Sequence, residues 1–198
     1  MRVVTINGSY RKDGVTDQVL REITRELEDE GACVESVVLR DEPIEFCLNC
    51  RECTQREGCS PGACVLGDGM AEIIEKIERA NAVVLASPTN MGTVTALFKR
   101  FMERLTVYAY WPWGARGPIY RKARSRQKPA VIIASSSAPV WLARPAFSSL
   151  RQLRWSAKAI GAKPVASVCL GMVADKPSPS LSQRDWRKVK MSVQKLLH

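Results

Sequence analysis

The chain has 198 residues, 45% apolar and 25% charged, which is the mix of a globular protein with a sizeable core. Its 30 Lys and Arg against 20 Asp and Glu leave a net charge of +10, which suits anionic ligands without naming one. The one histidine is His198, so imidazole acid–base catalysis and imidazole metal ligation are not expected.

Residues 2–7 (RVVTIN) are a β-branched run that predicts a first strand. No secretory pattern surrounds them, and no apolar run nears the ~20 residues that cross a bilayer, so no membrane association and a cytoplasmic location are expected. Val15, Val19, Leu20, Ile23 and Leu27 recur at helical spacing and stop near Gly31. Residues 33–39 (CVESVVL) predict a second strand. Met70, Ile73, Ile74 and Ile77 mark a second helix, and 82–87 (AVVLAS) a third strand. A third helix is expected from Thr93 to about Val107, with Leu97, Phe98, Phe101 and Leu105 on its apolar face. Strand four is 130–135 (AVIIAS). One helix bearing Leu142, Phe147, Leu150, Leu153 and Ile160 then leads to Gly161 and a fifth strand at 164–170 (PVASVCL). The stretch 175–180 (DKPSPS) reads as a local connector, after which Ser182 caps a last helix with Trp186, Val189, Val193 and Leu196.

Five apolar strands alternating with five amphipathic helices predict a parallel sheet covered on both faces. Right-handed crossovers then favour a doubly wound, flavodoxin-like α/β fold with strand order 2-1-3-4-5. One domain over 1–198 is expected, with a cysteine-rich insertion at 44–69 and a basic, aromatic insertion at 107–128.

Ligands of such sheets sit beyond the carboxyl ends of the strands. There the chain places NGSYRKDGVT (7–16) before a helix N-terminus, a combination of free N–H groups, hydroxyls and Arg11 that suits a phosphate. It is neither a dinucleotide fingerprint nor a P-loop. The small, polar loops SPTNMGTVT (87–95) and SSSAPVW (135–141) follow strands three and four at the same edge. Together the three describe a mononucleotide site, with FMN the natural candidate.

The motifs INGSYRKDGVT, CLNCRECTQREGC…VLGDGM and SPTNMGTVTALFKRFMERL resemble, in order and spacing, the NADPH-dependent FMN reductase and iron–sulfur flavoprotein family. That resemblance implies a flavin-dependent oxidoreductase of the NAD(P)H type. It places the FMN phosphate on Ser9, Arg11, Val15 and Thr16. Pro88, Thr89, Asn90, Met91, Gly92 and Thr93 would wrap the ribityl chain and ring edge, and Ser135, Ser136 and Ser137 the remaining side. Asn90 stands where many relatives carry a stacking aromatic residue, and the Asp17 carboxylate has to point away from the phosphate.

Five of the seven cysteines fall within 18 residues. Cys47, Cys50 and Cys53 form C-x2-C-x2-C, compact enough for one loop to wrap a cubane cluster. A [4Fe–4S] cluster, also implied by the family likeness, would take Cys59 or Cys64 as fourth ligand. Structural zinc, free thiols or a redox disulfide are the other readings. Cys33 and Cys169, inside apolar strands, read as small core residues.

The stretch 107–128 carries Tyr108, Tyr110, Trp111, Trp113 and Tyr120, suited to subunit contact or to covering a flavin. Its basic residues Arg116, Arg121, Lys122, Arg124, Arg126 and Lys128 could receive the 2′-phosphate of NADPH or an acidic redox protein, or simply be solvated. Nucleic acid is not an expected partner. The leading expectation is an FMN-dependent electron-transfer protein with a cluster, exchanging electrons with a small molecule or redox protein and assembling as a dimer or tetramer. The alternatives are a cluster-free NAD(P)H-dependent FMN or quinone reductase, and a zinc-stabilised, non-catalytic binding module.

Overall fold

The computed structural model of the protein describes residues 1–123, 125–174 and 179–197. In chain order its elements are β1 (Arg2–Asn7), α1 (Val15–Asp29), β2 (Cys33–Val38), α2 (Met70–Arg79), β3 (Ala82–Asn90), β4 (Thr93–Val94) and α3 (Ala96–Arg104). There follow β5 (Ala109–Tyr110), β6 (Ile119–Tyr120), β7 (Lys128–Ser135), α4 (Val140–Ala146), α5 (Ser149–Ala159), β8 (Ala162–Leu170) and α6 (Gln183–Leu197). Arg124, residues 175–178 of the connector and His198 lie outside the described residues.

Five parallel strands run in the order β2-β1-β3-β7-β8, the expected flavodoxin-like path. Their side chains alternate between two cores, as a pleated strand requires. Val4, Ile6, Val83, Leu85 and Ile132 face α2, α3 and α5, while Val3, Val84, Val131 and Ile133 face α1 and α6. Two-sided burial is why these strands read as continuous apolar runs rather than alternating ones. Ser182 caps α6 as expected, accepting the Asp185 N–H at 3.2 Å. Among the described residues no helix is long and apolar enough to cross a membrane.

Several expected boundaries shift for physical reasons. Thr93 and Val94 are not helical. Met91 and Gly92 take left-handed φ values of 48° and 77°, so β3 turns back tightly and Thr93–Val94 pairs antiparallel with Thr89–Asn90. α3 starts only at Ala96, where the Thr95 hydroxyl accepts the Phe98 N–H at 3.1 Å. The single helix expected over 142–160 is two. Pro145 has no N–H to continue the ladder, α4 stops at Ala146, and Phe147 is extended before α5 begins. The 107–128 insertion contains the β5–β6 hairpin. Cys33 is exposed and Cys169 half-buried, because β2 and β8 are the two edge strands and lack a neighbour on one side.

Candidate functional site

Register brings the three polar loops together. Asn7 of β1 pairs with Ala86 of β3, and Ala86 with Ile133 of β7. Two residues further on, Ser9, Pro88 and Ser135 therefore emerge side by side at the carboxyl edge. Gly8 makes room for the close approach of α3. A Cβ there would stand 2.8 Å from Phe98 side-chain carbons, and the Thr95 hydroxyl donates to the Gly8 carbonyl at 2.6 Å. Only hydrogen fits, which is the physical content of the Gly in "NGS".

The loop between β1 and α1 is held by charge. Asp17, in the first turn of α1, accepts from Asn7 Nδ2 at 2.6 Å and from the Asp13 N–H at 2.9 Å. Arg40, just past β2, donates to both Asp17 oxygens at 3.0 Å and to the Ser9 carbonyl at 3.0 Å. Burial pushes the Asp17 carboxyl up, but these hydrogen bonds, Arg40 foremost, outweigh it and hold its pKa below the ordinary value. The carboxylate faces a groove on the α1–β2 side, not the strand-end cleft. The Ser9 side chain closes the turn by bonding the Arg11 N–H at 3.2 Å. Gly14 at the helix N-cap carries no capping side chain, so the first turn of α1 presents its N–H groups outward.

The resulting cleft of ≈ 300 Å³ is lined by Ser9, Arg11, Val15, Thr16, Pro88, Thr89, Asn90, Ser135, Ser136 and Ser137. Ten of the residues singled out from the sequence thus share one surface. Met91, Gly92 and Thr93 do not line it. They form the tip and return strand of the β3–β4 hairpin, with Met91 fully exposed and Thr93 donating to Gln152 Oε1 at 2.6 Å. The sequence reading missed Tyr10, Gly14, Thr95, Val173, Ala174 and Pro179, which also line the cleft. The last three follow β8, and of them only Pro179 falls within the stretch 175–180 that read as a plain connector. Their signal was the strand order, which sets β8 beside β7.

The cysteine-rich insertion is anchored at both ends by one ion pair. Arg104 of α3, 2% exposed, donates to Asp68 at 2.6 and 3.0 Å and to the Glu45 carbonyl at 2.8 Å. Asp68 in turn accepts the Glu45 N–H at 2.7 Å and the Met70 N–H at 3.1 Å, which also opens α2. Burial raises the Asp68 carboxyl, yet Arg104 and the two N–H donors bring its pKa below the ordinary value. The second Arg104 nitrogen also reaches Cys64 Sγ at 3.6 Å, and the Asn49 N–H points at Cys47 Sγ at 3.4 Å.

Cys53 and Cys64 pack on the main core, whereas Cys59 is exposed. Burial, then the nearby Cys64, Cys47 and Cys50, push the Cys53 thiol up to about 11. Among the described residues no three His, Cys, Asp or Glu side chains stand together as a metal-ligand set.

The aromatic, basic insertion turns out to be the clamp on this loop. Arg51 lies over the Trp111 ring at 3.8 Å and the Trp113 ring at 4.3 Å, and donates to the Trp111 carbonyl. Arg121, 8% exposed, donates to the carbonyls of Val107, Gly58 and Cys53 at 3.1, 3.2 and 3.1 Å. Lys122 pairs with Glu78, and Lys128 donates to the carbonyls of Ile77 and Glu78. These three cations hold backbone and carboxylate inside the fold, which removes them as receivers of a dinucleotide phosphate. Arg116 and Arg126 stay exposed.

Gly62 is the tightest point of the loop. A Cβ there would lie 1.8 Å from the Cys53 carbonyl oxygen, and the Gly62 N–H donates to the Val107 carbonyl at 2.8 Å. Gly62→Ala is therefore expected to lower unfolding stability by about 2 kcal/mol and to make Cys53 reactive to alkylation. Mass spectrometry of the alkylated protein checks this, and an unreactive Cys53 in the variant would contradict it.

The sequence model of the NADPH-dependent FMN reductases matches residues 1–174. An iron–sulfur flavoprotein of Archaeoglobus fulgidus is 37% identical over 112 residues, 57% of this chain and 49% of that protein. Another from Methanocaldococcus jannaschii is 33% identical over 104 residues, 52% of this chain and 51% of that protein. In these matches the chain spans about half the length of the curated relatives. An FMN-dependent NADH-azoreductase of Bacillus anthracis, solved in complex with FMN, superposes over the whole of both chains with a TM-score of 0.67 and 14% identity, a likeness of fold. Strand order, the three-loop cleft and the family match agree: the chain belongs to the NADPH-dependent FMN reductase family, flavin-dependent oxidoreductases.

Proposed function

We propose that the protein is an FMN-dependent oxidoreductase that passes electrons through a [4Fe–4S] cluster held by Cys47, Cys50, Cys53 and Cys64. The observation that carries the flavin half is the cleft at the ends of β1, β3 and β7, where an open helix N-terminus, Arg11 and buried hydroxyls meet.

The donor set fits FMN. Ser9, Thr16, Ser135 and Ser136 are all at most 4% exposed and place hydroxyls on the cleft floor, with Thr16 and Ser135 3.3 Å apart. With Arg11 and the α1 N-terminus they suit a phosphate dianion. Pro88, Thr89 and Asn90 would run along the ribityl chain, and the Met91–Thr93 hairpin tip would border the ring edge. Thr89 is steadied there by Ser149, whose hydroxyl lies 2.8 Å away. Ser137 would close the opposite side.

The cysteine loop carries the donor chemistry of the proposed cluster, although among the described residues its side chains are not gathered into a ligand set and would have to be drawn together by the metal. Four sulfurs with two N–H donors aimed at them, one from a buried guanidinium, is the environment in which thiolate ligation is stabilised and its potential tuned. Arg104 would offset part of the negative charge of a thiolate-ligated cluster. Bound FMN supplies two-electron and one-electron chemistry and the cluster one-electron chemistry. The protein's residues bind, orient and shield these groups, and no side chain need act as acid, base or nucleophile. NAD(P)H is the electron donor in this reading, and a small molecule or redox protein the acceptor. Further copies of the chain are its assembly partners.

Protein purified without air is expected to contain FMN, iron and acid-labile sulfide. Arg11→Ala and Thr16→Ala should each weaken FMN binding about tenfold, the loss of one charge-assisted or neutral hydrogen bond to phosphate, as read by flavin fluorescence titration. Flavin without iron would leave a cluster-free reductase. A colourless protein with stoichiometric zinc would overturn the reading.

A further inference from the structure

Two of the aromatic residues of the 107–128 stretch, Trp111 and Tyr120, meet Trp155 of α5 around a cleft of ≈ 340 Å³. Met102 of α3 and Leu105 just beyond it add apolar wall. The cleft shares no residue with the one at the ends of β1, β3 and β7. Its volume lies at the lower end of the range that holds small organic ligands.

The aromatic walls are held from outside the cleft. The Trp111 N–H donates to the Thr54 carbonyl at 2.9 Å, and the Trp111 carbonyl accepts from Thr54 Oγ1 at 3.1 Å and from Arg51. Tyr120 is paired with Ala109 across the β5–β6 hairpin. Trp155 stands on α5, whose Leu153 and Ala157 are buried in the main core, yet Trp155 itself is 48% exposed. Aromatic surface fixed in place and half open to water gains free energy when a flat apolar ring covers it.

Charge narrows the kind of ring. Each aromatic wall carries one cation: Arg51 lies over Trp111 at 3.8 Å, Arg151 by Trp155 at 5.3 Å and Lys158 by Tyr120 at 5.7 Å. Of the three, Lys158 lines the cleft itself. The lining holds no carboxylate, and between Glu103 and Asp175 the chain carries twelve Lys and Arg and no acidic residue. The two hydroxyls of the lining are spent within their own turns, Thr106 on the Glu103 carbonyl at 2.7 Å and Ser156 on the Gln152 carbonyl at 3.0 Å. The polar group of a ligand is therefore met by the Lys158 ammonium, which favours an anion.

We propose that this cleft is a binding site for a planar aromatic anion, an aryl carboxylate or sulfonate, with its ring among Trp111, Tyr120 and Trp155 and its charge on Lys158. The site is independent of the flavin reading. It abuts the cysteine loop, because the Trp111 wall is held by Arg51, which lies between Cys50 and Cys53 in the chain.

Calorimetric titration of the full chain with 2-naphthoate, in saturating FMN so that the flavin cleft is filled, tests the assignment. Binding is expected, with the neutral naphthalene-2-carboxamide about fivefold weaker, the loss of one exposed charge pair. Trp155→Ala should weaken naphthoate about tenfold, the loss of a stacked aromatic contact. Lys158→Gln should weaken it about fivefold and leave the carboxamide unchanged, while Lys158→Arg retains naphthoate binding. Lys163→Gln, which removes an exposed cation of β8 outside the cleft, should have no effect. Equal binding of naphthoate and carboxamide, or undiminished naphthoate binding in Lys158→Gln or Trp155→Ala, overturns the proposal. Sedimentation of the same samples reads the other occupant. A dimer that Trp155→Ala dissociates, in a parent chain that binds no naphthoate, would give the cleft to a second copy and overturn the ligand. A chain that takes up no FMN yet binds naphthoate through Trp155 and Lys158 defeats the flavin reading alone.

Discussion

Serine in place of Cys64 is expected to strip the protein of its iron, whereas serine in place of Cys59 should leave it. Spacing alone allows either as fourth ligand, since Cys59 follows Cys53 closely and Cys64 directly precedes VLGDGM. The fold separates them. Cys64 packs on the core beside Cys53, is reached by the Arg104 guanidinium at 3.6 Å, and acts electrostatically on Cys53 as Cys47 and Cys50 do. Cys59 is exposed, packs on neither core, and borders a depression that Arg56, Glu57, Arg121 and Cys53 also line. A serine hydroxyl is a far poorer ligand for iron than a thiolate, so one lost ligand should remove most of the cluster rather than a quarter of it. Iron and sulfide analysis and the absorbance beyond that of flavin read the result. Iron lost with Cys59→Ser and kept with Cys64→Ser would reverse the assignment. Iron kept in both would defeat the cluster.

Arg104 makes a related point about what a sequence shows. Asp68 was visible only as part of VLGDGM, and Arg104 only as a cation in the last turn of a helix. Their bond crosses 36 residues and is what brings the two ends of the insertion together. The same holds for Arg121, 68 residues from the Cys53 carbonyl that it donates to. Composition correctly marked 107–128 as special, but a cation's partner is set by tertiary placement, and here the partners are carbonyls of another loop. The parallel sheet was readable because two-sided burial writes itself as unbroken apolar runs, as in AVVLAS. The edge strands were overread for the same reason. CVESVV is almost as apolar, yet only Val37 is buried, since apolarity does not tell a central strand from an outer one. Likewise the helical spacing of Leu97, Phe98 and Phe101 ran back to Thr93 on paper. The left-handed Met91–Gly92 turn, a backbone property that Met rarely adopts, made those residues a hairpin instead.

Arg40→Ala is expected to lower the stability of the protein by about 3 kcal/mol, the usual cost of stranding one member of a buried ion pair, and to abolish tight FMN binding. Arg40 and Asp17 are 15% and 7% exposed at their side chains and meet through two bonds of 3.0 Å. Without Arg40, Asp17 keeps only Asn7 Nδ2 and the Asp13 N–H, and the Ser9 carbonyl loses its anchor. The loop between β1 and α1 would then be free at Ser9 while a poorly compensated carboxylate sits in the first turn of α1, next to where the FMN phosphate is proposed to bind. Acid sensitivity should change in a defined direction. In the intact protein the Asp17 pKa lies below its ordinary value of 3.8. Its contribution is therefore fully present above that value and is lost as pH falls through the lower, folded-state pKa. With Arg40 removed the opposing effect of burial is less well offset, the folded-state pKa rises, and acid unfolding should begin at higher pH than in the parent. The double variant Arg40→Ala, Asp17→Asn removes the stranded charge and should recover more than half of the lost stability, but not the FMN affinity, because Ser9 remains unanchored. Urea unfolding at neutral and acid pH, with flavin fluorescence on the same samples, reads both effects. A double variant no more stable than Arg40→Ala alone would show that the ion pair does not hold this loop.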